Sequence, residues 1–269
     1  PRLRAPIEAI YHFARTADDI ADEGTATSDQ RYAQLQAYRL ALEQVFNGAP
    51  LGPEQMRWSQ VFERLRAVVK PYALPAQPLH DLLDAFVEDV GHRPYESMDG
   101  VMHYCQRSAN PVGRLLLHLY GIEDVQSLQE SDRICTALQL INFWQDLSVD
   151  HPRGRCYVPL DHLQRHGLDL QTWMQGADSA ATRAAIRELV ETTRAMMRQG
   201  QALALRVPGR AGWELRLVVQ GGLRILEKIE TMDYQSLHRR PRIGRYDIPV
   251  LLWRALSMGS GQSDQKVAA

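Results

Sequence analysis

Alternating β-branched runs are almost absent from this chain, while Ala, Leu, Arg, Gln and Glu recur at helical spacing and the stretches stop at glycine or proline. That pattern predicts an all-α fold. Helices are expected over Ala5–Glu23, closed by Gly24; Ser28–Asn47, closed by Gly48; Pro53–Val69, ended by Pro71; Pro78–Val90, closed by Gly91; and Met98–Tyr120, closed by Gly121. A second series covers Ser127–Asp150, Leu160–His166, Leu170–Gln175, Ser179–Arg206, Gly209–Leu237 and Ile248–Ser257. With 269 residues, 45% of them apolar, the chain can bury a sizeable core. Neither a linker nor a repeat divides it. A single helical domain over 1–257 is therefore expected, followed by a polar, disordered tail over 258–269.

Charge and cysteine usage narrow the function. The net charge of -1 gives no footprint for DNA or RNA, so no nucleic-acid partner is expected. Only three of the 31 basic residues are lysine, Lys70, Lys228 and Lys266, and the rest are arginine, the better fork for phosphate or carboxylate. Cys105, Cys135 and Cys156 are odd in number and lack CxxC spacing, which excludes a disulfide framework or zinc knuckle and fits a reducing, cytoplasmic setting. No run reaches the roughly 20 apolar residues that a membrane helix needs. Pro1 opens the chain without a signal-like region, so a processed start or a missing upstream stretch is expected. Nucleotide-binding GxxxxGK[ST] and GxGxxG loops, the GxSxG elbow, HExxH and the ExxH pair of di-iron bundles are all absent.

The remaining chemistry is acidic. In Ile7–Asp22, Arg15, Asp18 or Asp19, and Asp22 follow at helical steps, so an arginine and two or three carboxylates share one face of a helix that is apolar over most of its circumference and expected to be buried. Carboxylates at that spacing repel and call for a cation. In Ile134–Asp150, Gln139, Asn142, Asp146 and Asp150 mark a second stripe on an equally apolar helix, over about 16 Å of axis at ~1.5 Å per residue. Oxygen donors without histidine or cysteine select hard cations, and Mg²⁺ is commonly shared between a few carboxylates and substrate phosphates. The constellation predicts a Mg²⁺-bridged diphosphate. The first stripe also has a plainer reading as a solvated face; in the second helix, apolar nearly all round, solvent does not account for the polar stripe. Arg153 and Arg155 follow the second stripe, placed to close over a phosphate or to compensate a helix C-terminus; function is preferred for Arg155.

Together, Tyr11-xxx-Arg15-xx-Asp18-Asp19-xx-Asp22, Gln139-xx-Asn142-xxx-Asp146-xxx-Asp150 and Gly154-Arg155-xx-Val158-Pro159 resemble the squalene and phytoene synthase family of the isoprenoid synthase fold, over nearly the whole chain. The resemblance implies that Asp18, Asp22, Asp146 and Asp150 line opposite walls of one cavity and hold two or three Mg²⁺ with the diphosphate, Asp19 and Asn142 belonging to the same ligand set. It implies diphosphate binding by Arg15, Gln139 and Asn142, and by the late cations Lys228 and Arg240. Tyr104-Cys-Gln-Arg-Ser-Ala-Asn-Pro-Val-Gly113-Arg114 and Leu140–Asp146 resemble the bacterial hopanoid-pathway members, whereas phytoene-type members usually carry Val-Ala-Gly and Asn-Ile-x-Arg-Asp segments at these places. The family also uses residues upstream of its first motif, in a segment this sequence does not contain.

The reaction so implied starts with departure of pyrophosphate from presqualene diphosphate, and the rearranged cation is captured by water to give hydroxysqualene, without a nicotinamide cofactor. Tyr104, Asn110 and Tyr11 are candidates by position for orienting that water. Phe13, Phe143 and Trp144 either wall the apolar tunnel or are plain core, and Pro111 is expected to kink the middle helix. Condensation of two farnesyl diphosphates to presqualene diphosphate, squalene or dehydrosqualene is an alternative, and a non-catalytic assembly module and a helical diphosphate hydrolase are others. A C30 product implies at least transient contact with a membrane face, although no polybasic amphipathic segment marks an anchor.

Overall fold

The computed structural model describes residues 3–258, and among them all regular structure is helical. The α-helices are α1 Arg4–Asp22, α2 Ser28–Phe46, α3 Ser59–Val69, α4 Gln77–Val90, α5 Met98–Ser108, α6 Asn110–Leu119, α7 Val125–Gln145, α8 Leu147–Asp150, α9 Leu160–Arg165, α10 Leu170–Met174, α11 Ala180–Gly200, α12 Leu203–Arg206, α13 Gly209–Thr231 and α14 Asp247–Ser257. The tail expected over 258–269 lies, beyond Met258, outside the described residues. None of these helices is long and apolar enough to cross a membrane.

The helices form two compact units. Among the described residues, one comprises those through His92 with His103–Leu128, the other Arg93–Met102 with those from Gln129 onward, so one boundary falls between α4 and α5 and the other two inside α5 and α7. In the first unit α1 packs on α2, α3 and α4. Phe13, Tyr38 and Phe62 are fully buried there, with ring centroids 4.6–6.1 Å apart. Each such ring contributes about 2–3 kcal/mol by leaving water. The Tyr38 hydroxyl donates to the Phe13 carbonyl at 3.1 Å, which satisfies its one buried polar group. A reciprocal cap starts α2: the Gln30 amide donates to the Thr27 hydroxyl at 3.3 Å and the Thr27 amide to the Gln30 side chain at 3.0 Å.

Four predicted helices are interrupted: Ser179–Arg206 divides at Gln201 and Ala202 into α11 and α12, and three others break as follows. Pro53–Val69 begins as a tighter 3₁₀ turn over Pro53–Trp58 that sets the Trp58 ring edge-on to Tyr38. Met98–Tyr120 breaks at Ala109, because Pro111 lacks an amide hydrogen and its ring obstructs the carbonyl four residues earlier. Proline is instead accommodated in the first turn of α6, and the kink expected from it is a full break. The third break falls at Asp146, whose φ of -98° and ψ of 9° lie between helical and extended values; the 2.9 Å bonds from its amide to the Asn142 carbonyl and from the Asp150 amide to its own carbonyl carry the chain across.

In the second unit two glycines set how closely α11 and α13 approach the helix bearing the second acidic stripe. A Cβ on Gly200 would lie 2.7 Å from the Glu130 carbonyl oxygen, and one on Gly222 3.0 Å from Ile141 Cδ1. Trp144 is buried against α11, its indole N–H donating to the Thr193 hydroxyl at 2.9 Å.

Candidate active site

α1 buries Pro6, Ala9, Ile10, Phe13, Ala17 and Ala21 along one face. The opposite face carries Arg15, Asp18, Asp19 and Asp22, and it is open: Tyr11, Arg15 and Asp22 are exposed and Asp18 and Asp19 half-buried. The helix is thus buried on one side only, not nearly all round, because its small Ala side chains seat it on its neighbours while the charged side keeps its hydration. The chain itself supplies the first cation that the stripe needs. Arg15 pairs with Asp18 at 2.8 Å, Asp19 at 2.7 Å and Glu23 at 2.5 Å.

Negative charge remains in excess there. The Asp18 carboxyl is held above its ordinary range, first by burial and then, against the pull of Arg15, by Asp19, Asp22 and Glu23. An acid whose folded-state value is raised opposes folding at pH values above it, and this opposition vanishes below the unfolded value of 3.8. Asp18→Asn is therefore expected to raise Tm at pH 7 and to lose that advantage below pH 3.8, as thermal melts of the two proteins across pH would show. A constant advantage at all pH values would contradict the charge argument.

The second stripe ends against a cationic wall within its own unit. Arg240 grips Asp146 with a fork, Nε to Oδ1 at 2.5 Å and Nη2 to Oδ2 at 3.0 Å. The Gln145 side chain donates to the Pro241 carbonyl at 2.8 Å, pinning the same strand of loop to the end of α7. Exposed Asn142 lines a cavity of ≈ 390 Å³ with Ile141, Gln145, Arg240, Arg242 and Ile243. Arg240 and Arg242 also line a larger cavity of ≈ 720 Å³, walled besides by Arg224, Lys228, His238 and Arg239. Gln139 and Asp150 are half-buried. Beyond Asp150 the left-handed Gly154 (φ 73°) turns the chain so that the Arg155 amide donates to the Asp150 carbonyl at 3.1 Å. Arg155 is half-buried and Arg153 exposed.

Lys228 is held by a residue the sequence reading passed over. Its Nζ lies 2.8 Å from Oδ2 of Asp247, whose other oxygen accepts from Arg224 Nε at 2.8 Å, and the Gly244 amide donates to Oδ2 at 2.7 Å. The Lys228 hydrogen bond, then Gly244 and Arg224, hold the Asp247 carboxyl far below the usual range. Tyr104, by contrast, is buried in the first unit, where its hydroxyl donates to Asp89 Oδ2 at 3.0 Å, and Arg107 pairs with Glu88 at 2.6 Å beside it. Asn110 is buried at the start of α6. Phe13 and Trp144 are core, and Phe143 stacks on Tyr157 at 4.0 Å.

An acidic stripe, a facing set of arginines and a lysine in adjoining cavities are the equipment for a diphosphate, and comparison with known proteins identifies the lineage. The squalene/phytoene synthase family model matches residues 1–247. The chain belongs to this family. It is accordingly an enzyme of isoprenoid biosynthesis. Hydroxysqualene synthase of Rhodopseudomonas palustris is 32% identical over 245 residues, covering 90% of this chain and 80% of the relative. That of Sinorhizobium fredii is 33% identical, covering 94% and 82%. Squalene synthase HpnC from Alicyclobacillus acidocaldarius superposes with a TM-score of 0.78 at 32% identity, over 87% of this chain and 86% of that one.

Within this family member, Asp146 and Arg240, both expected at the site, are in direct contact, and Asn142 shares a cavity with Arg240. Arg15, Asp18 and Asp19 are likewise joined. The sequence reading missed Arg224, Arg242 and Asp247 in the second unit and Asp89 in the first. A signal existed for Asp247, a carboxylate opening an apolar helix five residues beyond the run Arg239-Arg240-Pro241-Arg242.

Proposed function

We propose that the chain converts presqualene diphosphate and water to hydroxysqualene and pyrophosphate. The observation that carries this reading is the Arg240–Asp146 fork at the end of the second acidic stripe, in a chain 32–33% identical to hydroxysqualene synthases over nine-tenths of its length. The donor set fits Mg²⁺: Asp18, Asp19, Asp22, Asn142, Asp146 and Asp150 offer only oxygen, and the raised Asp18 carboxyl marks negative charge that a cation would relieve. Two or three bound Mg²⁺ would neutralise charge on the departing pyrophosphate.

The protein groups divide the remaining work. In the free enzyme Arg240 and Asp146 neutralise one another; with substrate present Arg240 would turn to the diphosphate, and Asp146 would then be free to help hold Mg²⁺. Lys228, Arg155, Arg15, Gln139 and Asn142 orient the leaving group. The carbon–oxygen bond breaks with its electron pair going to pyrophosphate, and the cyclopropylcarbinyl cation rearranges in apolar surroundings that exclude bulk water. Tyr104, whose O–H donates to Asp89, presents its oxygen as acceptor to the water that captures the cation; Asn110 and Tyr11 are the other candidates. Of the water's two protons, one stays in the product hydroxyl and the other passes to solvent or pyrophosphate.

Product analysis tests the reading. Presqualene diphosphate with Mg²⁺ is expected to give hydroxysqualene at a rate that NADPH does not change and that EDTA reduces to background. Squalene formed only with NADPH, dehydrosqualene as sole product, or an undiminished rate in EDTA would overturn it. Farnesyl diphosphate as sole substrate, yielding presqualene diphosphate, would establish the condensing reaction instead.

A further inference from the structure

We propose that His162, His166 and Glu188 form a second metal site, of the zinc type, that clips α9 to α11. Its ligands are chemically unlike the all-oxygen diphosphate site. His162 and His166 stand four residues apart at the end of α9 and so share one face, with ring centroids 4.9 Å apart; Glu188 reaches them from α11. One ligand atom from each lies within 4.8 Å of the others. Bonds of about 2.0–2.1 Å to a tetrahedral ion would place ligand atoms roughly 3.4 Å apart. The present separations bracket that value: 2.9 Å from His166 Nε2 to Glu188 Oε2 and 3.8 Å from His162 Nδ1 to Glu188 Oε1.

Protonation favours the same assignment. His162 is buried, and its Nε2 lies 2.9 Å from the Ala185 carbonyl oxygen. A carbonyl only accepts, so Nε2 carries the hydrogen and Nδ1 presents its lone pair to the cluster, the outer support that metal-bound histidines use. A cation already sits among these groups: the Arg165 guanidinium is 3.0 Å from His162 Nδ1 and 3.3 Å from Glu188 Oε1. It is carried on an exposed side chain, able to swing into solvent when an ion enters. The hydrogen on His166 Nε2 would then move to Nδ1, so that the neutral imidazole presents its Nε2 lone pair to the ion. Two imidazoles and one carboxylate suit Zn²⁺ or Co²⁺, not Mg²⁺.

The test uses the full chain stripped of metal. Co²⁺ is expected to bind with visible absorption bands saturating at one equivalent, displaced by Zn²⁺, and Zn²⁺ is expected to raise Tm. His166→Ala and Glu188→Gln should each weaken Co²⁺ binding by more than about 100-fold, beyond the loss usual for an outer-shell change. Mg²⁺-dependent turnover of His166→Ala should stay at the wild-type level. Arg165→Ala should bind Co²⁺ more tightly, since the competing guanidinium is gone, an effect that a purely structural hydrogen-bond cluster would not produce. No visible band at one equivalent, a band indifferent to His166→Ala, or weaker binding in Arg165→Ala would overturn the proposal.

Discussion

Asp146→Asn is expected to lower turnover by about 10²–10³-fold, the scale of removing one preorganised charge-stabilising group, while leaving the fold intact. Asn preserves the shape of the side chain and one acceptor for Arg240, but it gives up the charge that the proposed Mg²⁺ cluster requires. Stability should hardly change. The Arg240 and Asp146 side chains remain 39% and 27% exposed, and a pair so well hydrated contributes about 0–1 kcal/mol. Arg240→Gln provides the partner experiment: if the two residues trade each other for metal and diphosphate on binding, each single change impairs catalysis even though the pair has been split in both. The measurements are single-turnover rates with presqualene diphosphate and thermal melts. A folded Asp146→Asn enzyme with wild-type turnover would remove Asp146 from the site.

The sequence exposes those parts of this protein whose physics is local. Helix periodicity and the closing glycines are short-range, so α1, α2 and α4 begin and end within a residue of the predicted positions. The acidic stripes are legible for the same reason, since i, i+3 and i+4 spacing alone decides a shared face. Breaks at Ala109 and Asp146 are harder to see: Pro111 signals the first, yet whether a proline kinks a helix or starts a new one depends on what packs beside it. Long-range partners are not legible at all. Asp89 finds Tyr104 across 15 residues and Arg240 finds Asp146 across 94, and nothing in either local pattern announces the other. Burial was misjudged at α1, because a mean apolar composition does not say that Ala takes one side and carboxylates the other.

Asp247 concentrates the consequence of such a long-range arrangement in one carboxylate. It is 3% exposed and receives Arg224, Lys228 and the Gly244 amide at 2.7–2.8 Å. Asp247→Ala would take the carboxylate from Lys228, leave Arg224 with Glu227 alone, and leave the Gly244 amide without its acceptor. Loss of one partner from a fully buried pair costs about 3–5 kcal/mol; because Arg224 and Lys228 keep 29% and 26% of their side chains in water, about 2 kcal/mol is expected here. The sign with pH follows from the depressed carboxyl. Its contribution is complete above the unfolded value of 3.8 and is lost as pH falls toward the lower folded value, so urea midpoints of the wild type and Asp247→Ala should differ at pH 7 and converge in strong acid. Catalysis should suffer by a separate route. Gly244 tethers the loop that carries Arg240 and Arg242, and Asp247 fixes Lys228 in the larger cavity, so loosening both misplaces the cationic wall without touching the acidic stripes. kcat/KM should fall about tenfold or more, mostly through KM. Asp247→Asn, which keeps an acceptor for Gly244 but not the charge, should lie between the two in both stability and KM; equality with wild type in KM would show that this wall does not meet the substrate.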